Sequence, residues 1–239
     1  MKRHTFRSLL SMLAGVLLAL SLGIGALGGT LWLFGTGEPL LERWLAWDNA
    51  PASAGLTEDD RAPIAQLVAD TMAGRTQTFQ YKGLFSEQAQ RHMLDCAPLF
   101  RLARTVGLVG FGLFLASLGG CLLLRDGRRS AVGILIGVGV LLAALLALAV
   151  WGLVSFDSLF TAFHRVLFTN DEWIFAPDDL LILLMPIGFF TRCAITGGIA
   201  WAACLAALAG VAALVIRRKK NAEQKYRRKA QTKHCDECP

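Results

Sequence analysis

The chain has 239 residues, of which 54% are hydrophobic and 18% charged, whereas an ordinary soluble domain is about 45–50% apolar and about 25% charged. That balance excludes a soluble globular domain. The net charge of +6 sits beside apolar windows, so it reads as a topology signal aided by anionic lipid rather than as a nucleic-acid surface.

In chain order, charge-free windows run from Ser8 to Gly37, Thr105 to Leu124, Ser130 to Phe156 and Cys193 to Ile216. Each is long enough for the roughly 20 residues that a helix needs to cross about 30 Å of hydrocarbon. The expected fold class is therefore all-α, an integral membrane protein with four transmembrane helices near residues 9–34, 105–124, 130–156 and 192–216. Residues 1–216 form the transmembrane domain and 217–239 a basic cytoplasmic tail. The first window follows Lys2, Arg3 and Arg7 and has a small-residue site at Ala26-Leu27-Gly28, as a signal peptide would. A signal h-region is typically only about 7–15 residues long, so an uncleaved anchor is expected.

Two outer loops, near 36–104 and 157–191, carry short interfacial or exofacial helices. Residues 39–47 place Leu40, Leu41, Trp44 and Leu45 on one helical face, an interfacial helix with Trp44 and Trp47 at headgroup level. Residues 60–73 read as a helix with Asp60 as N-cap, Pro63 in its first turn and Gly74 after its end. Another starts after Ser86 and should kink or stop at Pro98. Gln77 to Leu84 reads as extended. Leu159, Phe163, Val166 and Leu167 continue the helical spacing of the third span, Thr169-Asn170-Asp171 reads as a turn, and Leu180 to Phe190 as an interfacial or re-entrant approach to the fourth span. Glycine pairs lie inside the apolar windows, where small residues let helices approach closely.

Basic residues set the orientation. Fifteen of the 24 lie in the amino terminus, the 125–129 turn and the tail, while the two larger loops hold fourteen of the 18 acids. Both termini are thus expected in the cytoplasm. Cys235 and Cys238 then lie where thiols stay reduced, and Cys96 alone is clearly external, so no disulfide framework is expected. The tail stretch HCDEC offers three zinc-type ligands but lacks the second pair of a zinc ribbon.

On the outer side stand two histidines, each with an acid on its helical face. Asp95 follows His92 by three residues in RHMLDC, and Asp157 precedes His164 by seven in DSLFTAFH. A carboxylate beside an imidazole fixes its tautomer and stabilises the imidazolium, as a general base requires. Three chemistries fit. One is a metal-dependent hydrolase with His92, His164 and a carboxylate around the ion. A second is a Ser–His hydrolase using Ser155, Ser158 or Thr161. The third is direct general-base catalysis on a substrate that brings its own nucleophile, without cofactor. A non-enzymatic four-helix accessory or scaffold protein fits the same spans.

Four spans, HMLD ahead of the second, and FHRVLFTNDEW…PDDLLILLMPIGFF between the third and fourth together resemble one family, the lipoprotein intramolecular transacylases (Lit). The resemblance covers residues 1–216 and is loosest at Pro186-Ile187-Gly188. It implies an acyltransferase of the bacterial cytoplasmic membrane with its active site on the outer face. The partners it implies are the diacylated N-terminus of a lipoprotein and membrane lipid, with no cofactor and no nucleic acid. The sn-2 acyl chain of the S-diacylglyceryl cysteine would move to the same cysteine's α-amine, leaving an N-acyl lyso-lipoprotein. The match implies His164 as principal base and then acid, His92 as its partner, Asp95 fixing the His92 ring, and Arg165 supplying positive charge or snorkelling. Asp157 is the further supporting acid, and Trp173 marks headgroup depth.

Overall fold

The computed structural model describes residues 2–47 and 50–236, with side chains described except at 2–4, 50, 229–230 and 232–236. The HCDEC stretch therefore lies outside the residues whose side chains are described. Among the described residues every regular element is helical. In order they are α1 (Lys2–Thr36), α2 (Glu38–Leu45), α3 (Ala50–Ser53), a 3-10 turn (Glu58–Asp60), α4 (Arg61–Ala73), α5 (Glu87–Leu124), α6 (Gly127–Val154), α7 (Phe156–Leu167), α8 (Leu180–Leu184) and α9 (Ile187–Asp236). Four stretches are long and apolar enough to cross a membrane: Thr5–Thr36, Glu87–Leu124, Gly127–Val154 and Ile187–Arg228.

Contacts divide the chain into two compact units, one of Met1–Gly23, Gly110–Ala143 and Ala202–Pro239, the other of Ile24–Val109 and Ala144–Trp201. In the first, α1 and α6 meet backbone to backbone. A methyl at Gly15 would collide with the Ser130 carbonyl, and one at Gly133 with the Met12 carbonyl. Lipid offers no hydrophobic drive to helix pairing, so close van der Waals approach at small residues supplies it. Arg7 Nη2 donates to the Leu124 carbonyl at 3.2 Å, giving the last turn of α5 a partner.

The second unit holds a packed core of its own. Leu41, Trp44 and Leu45 of α2 meet Ile64, Val68 and Met72 of α4, Met93 of α5, Leu181 and Leu184 of α8, and Phe189 of α9. Burying one such side chain contributes about 1.5–3 kcal/mol. Trp44 departs from the headgroup position expected of it. It is 3% exposed and stacks edge-on with Phe34 at 4.7 Å and Phe189 at 6.0 Å. The interfacial stripe of α2 is a core stripe, because α4, Phe34 and Phe189 cover it. Trp47 lies under the Arg192 guanidinium, 5.3 Å from the ring centroid.

Three further local expectations change. Asp60 stands at the N-cap of α4 as expected, but its side chain makes no cap hydrogen bond there. Its Oδ2 accepts from Thr57 N and Oγ1, and its Oδ1 from Tyr81 Oη and Lys82 Nζ, both at 2.6 Å. Lys82, then Tyr81 and Thr57, hold its carboxyl well below the usual carboxylate range, and the 76–85 segment is thereby tied to α4 as a loop. Pro98 neither stops nor splits α5, which continues to Leu124. Apolar periodicity persists on both sides of it, and the single lost N–H is tolerated in a helix of this kind. The third span does not run on past Phe156. Ser155 is extended (φ −159°, ψ 95°) and its Oγ accepts from Ser158 N at 3.2 Å, capping a separate helix, α7.

Candidate active site

His92 lies in the second turn of α5, whose start is fixed by Ser86. The Ser86 hydroxyl accepts from Ala89 N at 3.1 Å and donates to Asp179 Oδ2 at 2.9 Å. Asp179 itself caps α8, its Oδ1 accepting from Leu181 N at 2.8 Å. His164 lies in the last turn of α7, which has Asp157 in its first turn and His164 and Arg165 in its last. That order complements the helix dipole.

The loop after α7 returns over α5 and is held there by one polar edge of that helix. Gln88 Nε2 donates to the carbonyls of Glu172 and Ile174 at 3.1 and 2.9 Å. Arg91 forks onto Glu172 with Nε–Oε1 and Nη2–Oε2 distances of 3.0 and 3.3 Å. Asn170 Nδ2 donates to Asp95 Oδ2 at 2.9 Å. Residues 88, 91 and 95 recur at the helical spacing that puts them in line, and His92 sits beside that line.

The two imidazoles, 72 residues apart in the chain, meet with centroids 6.0 Å apart and rings tilted by 32°. Each residue is 7% exposed. Aromatic rings surround them. Phe160 lies 4.1 Å from His164 and Trp173 stacks on it at 5.1 Å, while Phe168 lies 5.7 Å from His164 and 5.1 Å from His92. Phe175 meets His92 edge-on at 5.5 Å.

Hydrogen bonding differentiates the rings. His164 Nδ1 is 2.8 Å from the Phe160 carbonyl. A carbonyl only accepts, so Nδ1 carries the hydrogen and Nε2 presents a lone pair. Burial lowers the His164 pKa from its ordinary value and the bond to Phe160 partly restores it, so the ring is neutral near pH 7. His92 Nε2 is 3.6 Å from Cys96 Sγ, and its Nδ1 is buried without a hydrogen-bond partner.

The structure thus brings His92, His164 and Trp173 together and treats the other expected residues differently. Asp95 does not fix the His92 ring, because its carboxylate is engaged by Asn170 and Cys96, one residue further, occupies the ring's side. Asp157 is exposed and about 10 Å from His164 along the helix axis at 1.5 Å per residue, so its part is at the helix terminus. Arg165 is exposed and has no hydrogen bond or ion pair to a described residue. Trp173 is a wall of the site, with Nε1 donating to the Asn170 carbonyl at 3.0 Å. Among the described residues no three His, Cys, Asp or Glu side chains gather as a metal-holding group. Sequence reading missed Phe160, Phe168, Phe175 and Cys96 as neighbours of the histidines. Phe160 and Cys96 stand four residues from His164 and His92 and were readable at that spacing.

The model of the family described as lipoprotein intramolecular transacylase Lit matches residues 16–190. The chain belongs to the Lit family. Membership makes it a lipoprotein intramolecular transacylase, an acyltransferase, and it is membrane-integral. Solved structures of the Bacillus cereus membrane-integral Lit transacylase share its fold. One is 19% identical with a TM-score of 0.72, covering 91% of this chain and 99% of that one. A variant of that protein with one histidine replaced by alanine is 18% identical with a TM-score of 0.73, covering 91% and 99%. No curated protein sequence matches the chain.

Arg91→Glu should lower kcat/KM roughly tenfold or more by setting two carboxylates against each other and loosening the loop that faces His92. Adding Glu172→Arg in the same chain should return most of the loss. Steady-state rates of the single and double variants check this.

Proposed function

We propose that the paired imidazoles are the acid–base centre of acyl transfer within one lipoprotein, from the sn-2 glycerol ester of its S-diacylglyceryl cysteine to that cysteine's own α-amine. The single observation that carries this reading is the 6.0 Å juxtaposition of His92 and His164 inside an aromatic enclosure.

The substrate supplies both nucleophile and electrophile, so the site's tasks are folding the headgroup, moving one proton and steadying one oxyanion. His164 Nε2 takes a proton from the amine nitrogen as its lone pair forms the N–C bond to the ester carbonyl carbon. The carbonyl π pair moves onto oxygen. When that pair returns, the C–O bond to glycerol breaks and the leaving oxygen takes the proton back from His164. Amide and alcohol replace ester and amine with no net proton change. His92 is the partner that holds the carbonyl or amine in place, and Arg165 is a cation at the rim.

The basic residues of the termini and the 125–129 turn support a cytoplasmic position for those segments and an outer one for the two acidic loops. In this reading the site lies at the outer face of a bacterial cytoplasmic membrane, where diacylated lipoproteins present their N-termini. The acyl chains stay in the bilayer, and Phe163 and Val166, 55% and 84% exposed, set the depth of α7 at the lipid surface. Ester aminolysis is downhill and needs no nucleotide or cofactor.

The test is mass spectrometry of one lipoprotein's N-terminal peptide from cells with and without this chain. One acyl group should shift from glycerol to the amine only in its presence. His164→Ala should remove roughly 10²–10⁴-fold of the rate while the protein still purifies intact; undiminished transfer in that variant refutes the reading.

The pH dependence follows from the direction of the His164 shift. Its pKa lies below the ordinary 6.5, so its lone pair is available throughout neutral pH and is lost only as pH falls below that value. The α-amine, with a reference pKa of about 7.7–8.0, limits the rate above it. A plot of log kcat/KM against pH should rise with unit slope between about pH 6.5 and 7.5, steepening only at lower pH. A slope of two already above pH 6.5 would contradict a depressed base.

A further inference from the structure

Cys96 stands outside every role given so far, yet among the described residues it makes the one hydrogen bond that reaches the His92 ring, Sγ to Nε2 at 3.6 Å. It is a free thiol, half-buried, one turn along α5 from the histidine. A second observation stands beside it. His92 Nδ1 has no hydrogen-bond partner although it is buried, in a ring that faces His164, Phe168 and Phe175. A buried polar atom left unpaired costs about 1–3 kcal/mol, and such atoms in a native site call for an explanation such as a ligand group that pairs with them.

We propose that Cys96 is the positioning residue that makes His92 an N–H donor to the substrate's ester carbonyl. An imidazole lone pair is a strong acceptor and a thiol sulfur a weak one, so the favourable arrangement has the Cys96 S–H donating to Nε2. A neutral ring whose Nε2 accepts must carry its hydrogen on Nδ1. The two imidazoles are then held in the same Nδ1–H tautomer by local partners one helical turn away, but with opposite edges engaged. The Phe160 carbonyl holds hydrogen on His164 Nδ1 and frees Nε2 as base; the Cys96 thiol holds hydrogen on His92 Nδ1 as donor. As the amine attacks, the carbonyl π electrons move to oxygen, and the Nδ1–H of His92 meets the negative charge. That proton stays on the ring, and the proton that moves is the one His164 carries from amine to glycerol oxygen. One neutral histidine cannot serve well as both base and electrophile, and two cage-bound rings of fixed tautomer, His164 offering Nε2 and His92 offering Nδ1–H, divide the work.

The assignment rests on the acyl-transfer reading above, and its failure is separable from the failure of that reading. The direct readout is ¹⁵N nuclear magnetic resonance of the full chain, histidine-labelled, in lipid nanodiscs at pH 7.5. His92 should show a protonated Nδ1 and a hydrogen-free Nε2, and His164 the same assignment held by its carbonyl. In Cys96→Ala, His92 alone should become a mixture of tautomers. Its kcat should fall roughly three- to tenfold with KM unchanged, short of the 10²–10³ that a whole oxyanion donor contributes, because part of the population keeps the useful tautomer. Cys96→Ser, whose hydroxyl donates likewise, should restore both the spectrum and kcat. A His92 with hydrogen on Nε2 in the unmodified protein overturns the proposal, as does a Cys96→Ala variant with unchanged kcat and spectrum. It is also overturned if both substitutions abolish turnover and an acyl group is trapped on Cys96 in quenched reactions, since the thiol would then be a nucleophile. In the first two cases inactive His164→Ala and His92→Ala variants would leave the transfer reading standing, whereas acyl-Cys96 would overturn its direct amine attack as well.

Discussion

One polar edge of α5 holds the loop that follows α7, and the site depends on that attachment. Gln88, Arg91 and Asp95 engage Glu172, Ile174 and Asn170, while Ser86 reaches Asp179 at the head of α8. Individually such surface contacts are weak, the Arg91–Glu172 pair included, at about 0–1 kcal/mol each. Together they close a loop of a dozen residues whose aromatic side chains Phe168, Trp173 and Phe175 then have one place to go. His92 is carried by the helix and His164 by the short amphipathic helix that the loop ends, and the clamp turns two separate elements into one site.

The aromatic enclosure has a chemical consequence. Phe160, Phe168, Trp173 and Phe175 crowd the two rings and leave each histidine residue 7% exposed. An ester beside a general base in open water would be hydrolysed as readily as aminolysed. In the proposed reaction, rings that occupy the space around His164 keep water from competing and strengthen each remaining hydrogen bond. The same burial holds His164 neutral, which is the form a base needs. Enclosure and proton affinity are therefore set by one feature.

Much of the fold was legible from the chain because its signals are one-dimensional. Charge-free windows, an N-cap at Ser86, Gly74 as a helix end and small residues at helix crossings each follow from local sequence. Where reading failed, a tertiary partner had overridden a local pattern. Trp44 looked like a headgroup marker until α4, Phe34 and Phe189 covered it. Asp60 does stand at the N-cap position of α4, but Lys82, Tyr81 and Thr57 take the carboxylate that would have capped it. Pro98 looked like a kink or a stop, and it is no stop, because one proline does not outweigh an apolar helix continuing beyond it. At the site, the two histidines were visible as outer-side outliers, and spacing offered each an acid. The actual partners are a thiol and a backbone carbonyl at i±4, together with aromatic rings from a loop whose return path no spacing encodes.

The central claim is that His92 and His164 act as one unit on a single bound lipid. Catalytic groups that work together are strongly non-additive when removed. Measuring kcat for His92→Ala, His164→Ala and the double variant, on one purified diacylated lipopeptide, tests this most directly. The account predicts that the double variant is no slower than the worse single variant within a few-fold. Losses that multiply, with each histidine contributing its full factor independently, would contradict it.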